Sequence, residues 1–180
     1  MPTRDEVRGI LPELKLIKDE KLREKTLDVW LDAMETGGWE VSDMPDIPFT
    51  LLIEGTDLSL LDHTRVVTQT AAAIADTMLE FYGDRMPINK DYLISGGILH
   101  DVGKLLEYRR LGSEIVKSEV GKDLRHPFSG TALAYKHGIP TMICHLIAMH
   151  AKEGEGGRRN PEAWIIHYSD FVNFRSLKTL

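Results

Sequence analysis

Apolar residues recur at steps of three and four along most of the chain, and hardly any segment alternates with the period of a strand. From Asp19 to Gly37, Leu22, Leu27, Val29, Trp30, Leu31 and Met34 predict an amphipathic helix stopped by Gly37 and Gly38. The clearest stripe runs over Leu60 to Tyr82, where His63, Val67, Thr70, Ile74, Met78 and Phe81 share a face, with Ser59 as N-cap and Gly83 as stop. Shorter helices are predicted over Asp91 to Val102, capped by Asn89, and over Pro127–Lys136, Pro140–Ala151 and Pro161–Phe174, the prolines suiting the first turn. Between them lie a connector, Val41 to Glu54, broken by Pro45 and Pro48, and an irregular charged stretch, Lys104 to Arg125, read as a long loop with room for a hairpin. The expected architecture is all-α, a helical bundle over 54–180 preceded by a helical extension over 1–53, with Trp30 and Trp39 packing the extension on the bundle.

A chain of 180 residues can bury one substantial core, and 42% hydrophobic with 28% charged residues is a globular composition. No apolar run has the length of a membrane span, and the charged amino terminus lacks the apolar core of a secretory signal, so a cytoplasmic protein without a membrane partner is expected. A net charge of −6 argues against a broad surface for long duplex nucleic acid and leaves small anionic substrates open. The single cysteine, Cys144, forms no internal disulfide and reads as a buried hydrophobe.

Candidate chemistry gathers on a few polar residues that the helical periods turn inward: His63, His100, Asp101, His126, His150 and Asp170. Taken singly, each has an ordinary reading as a hydrogen-bonded histidine or a salt-bridged carboxylate. Together, four imidazoles and two carboxylates suit a transition metal such as Mn, Fe, Co or Zn, whereas one cysteine rules out thiolate-based structural zinc. His100 and Asp101 would point about 100° apart on a helix, and a carboxylate has two oxygens, so Asp101 is suited to bridge two ions. Gly96 and Gly97, unfavourable within a helix, lie one turn earlier and make room either for another helix or for a ligand. His137, His145 and His167 are assigned to structure, His167 either packing plainly or orienting Asp170, three residues on.

His63, the "HDVGK" of residues 100–104 and Asp170 resemble, in order and helical setting, the H...HD...D signature of the HD-domain metal-dependent phosphohydrolase superfamily. The segments "HPFSGTALA", "AMHAKEG" and "PEAWIIHYSDFVNF" resemble its HDIG-type members, and the likeness runs from Leu58 to Phe174. It implies one metal held by His63, His100, Asp101 and Asp170, and in two-metal members a second held by His126 and His150 with Asp101 bridging. Lys104 corresponds to a lysine that contacts a substrate phosphate, so Asp101 and Lys104 are the expected catalytic residues. The chain departs from members with a double histidine by carrying Ala151 after His150, and it has no counterpart of the nucleic-acid-binding domain of the exoribonuclease members.

The implied activity is hydrolysis of a phosphate monoester or phosphodiester, of a nucleotide or a short nucleic-acid-like substrate, by a metal-bound hydroxide. Arg65, Arg109, Arg110 and Arg125 are candidates to steer the anion. Two alternatives stand beside it: a di-iron oxygenase using the same ligands on a small organic substrate, and a non-catalytic helical module. The extension could also make a homodimer contact or cover the site.

Overall fold

The side chain of Thr3 accepts from the Glu6 amide, and Glu6 returns the bond, starting α1 (Arg4–Ile10), a short helix that apolar spacing does not announce. Asp19 caps α2 (Glu20–Gly37), and Gly38, at φ 72°, ends it in the left-handed conformation. This computed structural model describes residues 1–53 and 56–179. Ser59 and Asp62 form the capping box of α3 (Leu60–Tyr82), and Asn89 caps α4 (Lys90–Leu99). The expected loop contains α5 (Lys104–Glu107), an antiparallel hairpin of β1 (Tyr108–Leu111) and β2 (Glu114–Lys117), and α6 (Glu119–Asp123). Then follow α7 (His126–Lys136), α8 (Thr141–Met149) and α9 (Pro161–Lys178), the last running one turn beyond its expected end at Phe174. The fold is all-α apart from that hairpin.

Helix α4 is the axle. From Leu93 to Leu99 every residue is buried, including Ser95, Gly96 and Gly97, because α2, α3, α8 and α9 surround it. The two glycines serve helix contact: a Cβ on Gly96 would lie 2.5 Å from Leu146 Cδ1, and one on Gly97 2.9 Å from Thr68 Oγ1. The α3 stripe buries His63 and Val67 as expected, but Phe81 is 69% exposed because the last turns of α3 run past the core.

The amino-terminal helices share this core. Val7, Leu11, Leu27 and Trp30 belong to one buried cluster with Ile98, Leu99, Val102, Leu133 and Ile147. Trp30 Nε1 donates to the Ile98 carbonyl at 2.9 Å and Trp39 Nε1 to the Leu105 carbonyl at 2.7 Å, so both indoles satisfy their donors on either side of the His100–Asp101 pair. The domain boundary expected between 53 and 54 falls where residues 54 and 55 lie outside the described residues. Cys144 is free and buried, and no described helix is long and apolar enough to cross a membrane.

One departure matters for the site. Helix α4 stops at Leu99 rather than Val102, so His100 and Asp101 lie in the turn after the helix and not within it. The chain is held there by Val102 N donating to Leu99 O at 3.1 Å and Lys104 N to Asp101 O at 2.9 Å, both tight three-residue turns. Gly103 requires this course, because it passes against the start of α7: a Cβ there would sit 2.2 Å from His126 O and 2.7 Å from Gly130 N. Gly103→Ala is therefore expected to destabilise the fold by about 1–3 kcal/mol through overpacking. Urea denaturation measures it, and a loss below about 0.5 kcal/mol would show that the approach is not tight.

Candidate metal centre

Each candidate is delivered by a different element. His63 comes from the first turn of α3, His100 and Asp101 from the turn after α4, His126 from the start of α7, His150 from the end of α8 and Asp170 from α9. All converge, and all are buried except Asp170, whose side chain is 15% exposed.

Asp101 lies at the middle. Its Oδ2 is 2.6 Å from Lys104 Nζ, 3.4 Å from His100 Nε2 and 3.5 Å from His63 Nε2. Its Oδ1 is 3.2 Å from His126 Nε2 and 3.5 Å from His150 Nε2. One oxygen thus faces His63 and His100, the other His126 and His150. Ligand atoms of His63, His100 and Asp101 lie within 4.8 Å of one another, as do those of Asp101, His126 and His150. Asp170 Oδ1 joins the first group, 3.1 Å from His63 Nε2.

The outer nitrogens fix the rings. His100 Nδ1 is 2.7 Å from the Gly97 carbonyl, His150 Nδ1 2.7 Å from the Ile147 carbonyl, and His126 Nδ1 2.9 Å from Glu107 Oε2. Carbonyls and carboxylates only accept, so each Nδ1 is the protonated one and each Nε2 turns a lone pair inward. Those lone pairs face carboxylate oxygens, acceptor against acceptor, and His150 Nε2 is buried without any hydrogen-bond partner. Such an arrangement is repulsive until a cation stands between, so the donor set fits divalent metal ions.

The electrostatics point the same way. Burial dominates at His63 and His126 and lowers both imidazoles below their ordinary range, keeping them neutral as ligands must be. At His100 burial is the largest single influence and acts downward, but the charge and hydrogen bond of Asp101, with Asp170 and the Gly97 carbonyl, together outweigh it and the net shift is upward. Burial would raise the Asp101 carboxyl, yet Lys104 and His100 hold it well below the usual carboxylate range. Burial likewise opposes ionisation of Asp170, and the hydrogen bond and charge of His63, with the charge of His100, together bring it down to about 2. Lys104 stays charged despite burial because Asp101 faces it, and its Nζ also donates to the Phe49 carbonyl at 2.5 Å.

Glu107 escaped the reading of the sequence. It is 1% exposed at the end of α5, and its carboxylate accepts from both His126 Nδ1 and the His126 amide, and from Arg125 at 2.6 Å. Its signal was slight: one charge beside Leu105 and Leu106 in a stretch taken for a loop. Of the two readings of His167, the structure shows the structural one: its Nδ1 meets the His150 carbonyl at 2.6 Å, not Asp170. His137 pairs with Asp32 of α2 at 2.7 Å. Of the four arginines, only Arg125 reaches the cavity; Arg65 is bound to Glu13 and Arg110 to Asp43 and Asp46, while Arg109 is half-buried near the base of the hairpin, opposite Val116.

A cavity of about 300 Å³ opens on the cluster. Lys104, Lys117, Arg125 and Lys152 supply its cations, and Phe49, Leu51, Phe171 and Phe174 an apolar wall.

Comparison with known proteins agrees with this picture. The model of the family described as HD domain matches residues 60–172. A protein of Methanocaldococcus jannaschii, named dihydroneopterin 2',3'-cyclic phosphate phosphodiesterase, is 32% identical over 162 residues, which cover 86% of this chain and 63% of that protein. This chain therefore spans less than two thirds of the relative's length. No solved structure matches.

Glu107 acts on His126 in a direction that can be checked in the metal-free protein. Its hydrogen bond and charge raise the His126 pKa against the lowering by burial. Glu107→Gln removes the charge, so the His126 titration observed by NMR is expected to move to lower pH; an unchanged or higher value would contradict this account.

Proposed function

This chain belongs to the HD domain family, and from that premise we propose that it is a metal-dependent phosphohydrolase that cleaves a phosphodiester. The observation that carries the proposal is the pair of ligand groups on opposite oxygens of Asp101, with His150 Nε2 buried and unpartnered among them. His63, His100, Asp101 and Asp170 would hold one divalent ion, and His126, His150 and the other oxygen of Asp101 a second. Bound there, such ions supply a nucleophile made from water at neutral pH and neutralise the phosphate oxygens.

The chain's own residues do the rest. Lys104, anchored by Asp101 and Phe49, presents a fixed positive charge to the phosphate at the floor of the cavity. Arg125 and Lys117 draw the anion in, although Glu107 neutralises part of their charge. The rings of Phe49, Phe171 and Phe174 offer a flat apolar wall to the alcohol part of the ester, and Phe49 and Phe174 meet edge to face with centroids 6.4 Å apart. An aromatic heterocycle suits that wall, and the relative's name places a pterin 2',3'-cyclic phosphate in the same chemical class. No observation favours the oxygenase alternative.

The test compares the manganese-loaded protein and Asp101→Ala on bis-p-nitrophenyl phosphate and on a nucleoside 2',3'-cyclic phosphate. Native protein is expected to turn over the diesters and to bind about two ions per chain by elemental analysis. Asp101→Ala is expected to lose metal and more activity than the roughly 10–100-fold that follows loss of an outer partner. Intact hydrolysis in Asp101→Ala would refute the assignment, and a native stoichiometry of one would remove the bridging role.

A further inference from the structure

Tyr108, the first residue of β1, is 4% exposed and lines the cavity next to Lys104, Glu107 and Arg125. Its ring packs in the main core cluster. Its hydroxyl has no hydrogen-bond partner among the described residues, and the charges acting on it are those of Lys104, Asp101, Glu107 and Arg125. Those neighbours are already engaged with one another. Lys104 Nζ donates to Asp101 and to Phe49 O, and Arg125 to Glu107 and Glu153.

The phenol oxygen is not among the side-chain atoms buried without a partner, so it reaches the cavity instead of being sealed in the core. The indoles of Trp30 and Trp39, which are sealed in the core, reach backbone carbonyls instead. The Tyr108 oxygen is therefore a neutral donor placed to meet a group that enters the cavity it borders.

We propose that Tyr108 is a substrate-contacting residue, its O–H donating a hydrogen bond to an oxygen of the phosphate group held beside Lys104. The inference rests on the phosphohydrolase reading and extends it by a residue that neither the HD signature nor the metal geometry includes. A neutral donor adds a directed hydrogen bond without adding charge, which Lys117 and Arg125 at the cavity mouth cannot do. Burial pushes the phenol pKa up, and the neighbouring carboxylates add to that against the opposing charge of Lys104, so the donor keeps its proton.

The test uses Tyr108→Phe beside native protein, both loaded with manganese, with three measurements: thermal midpoint, calorimetric titration with inorganic phosphate, and hydrolysis of bis-p-nitrophenyl phosphate. Tyr108→Phe is expected to melt no lower than native, and to bind phosphate and turn over the diester about tenfold or more less well, as loss of a hydrogen bond to an anion implies. Phosphate binding and kcat/KM within about twofold of native would overturn the proposal and leave the hydrolase standing. A lowered melting point would also overturn it, by giving the hydroxyl a structural role. Native protein that binds phosphate better than Tyr108→Phe but cleaves no diester would support the contact and refute the hydrolase; native protein that neither binds nor cleaves would refute both.

Discussion

A single carboxylate, Asp101, is buried to 2% exposure with imidazoles on both of its oxygens, and the architecture is arranged around that fact. A lone buried charge of this kind costs several kcal/mol, so it persists only with compensation. Lys104, 2.6 Å away and itself buried, supplies one positive charge. The four imidazoles do not supply more in their neutral form, and three of them turn lone pairs toward the same centre. The apo protein thus holds more acceptors than donors at its middle, an imbalance that divalent cations would relieve. Metal binding on this reading also stabilises the fold, since a ligand that binds only the native state shifts the unfolding equilibrium.

The surrounding scaffold is built to hold those lone pairs still. Two of the imidazoles are tied to carbonyls three residues earlier, His100 to Gly97 and His150 to Ile147, so helix termini rather than side chains set their orientation. His126 begins α7 and has no such preceding turn, and Glu107 takes over the task from another element. The close approach of Gly103 to the His126 carbonyl brings the two halves of the cluster together. Small residues and backbone groups therefore carry much of the precision, while the ligands themselves are ordinary inward-facing positions on amphipathic helices.

This division explains what could be read from the sequence. The 3.6-residue period located α2, α3, α7, α8 and α9, because each has an apolar face against one or both of two buried clusters. All six candidate ligands were picked out and the structure brings them together, since inward polar residues stand out against an apolar stripe. The early end of α4 was not legible: it depends on a contact with α7, which lies over twenty residues downstream. Glu107 and the Phe49 carbonyl were missed for related reasons. A buried glutamate looks like any surface charge until its partners are known, and a backbone acceptor has no residue type to reveal it. Of the arginines offered to steer the anion, Arg125 lines the cavity, whereas Arg65 and Arg110 found carboxylates away from it, the buried Glu13 for Arg65 and Asp43 for Arg110.

The cavity has a second origin besides the ligand cluster. Family membership rests on residues 60–172, yet Phe49, Thr50, Leu51 and Leu52 line the opening and Phe49 binds Lys104 through its carbonyl. The connector is thus coupled to Lys104, and its side chains form the apolar wall together with Phe171 and Phe174 of α9. Ligands of the kind held at Asp101 recur wherever the HD signature does, so they cannot by themselves distinguish one phosphate ester from another. On the phosphohydrolase reading, discrimination would come from groups that touch the alcohol portion, and the cavity lining here includes a segment that precedes the matched region. A change at Phe49 would accordingly act on two things together, the shape of the wall and the position of Lys104, which makes this connector part of the site rather than a tether to it.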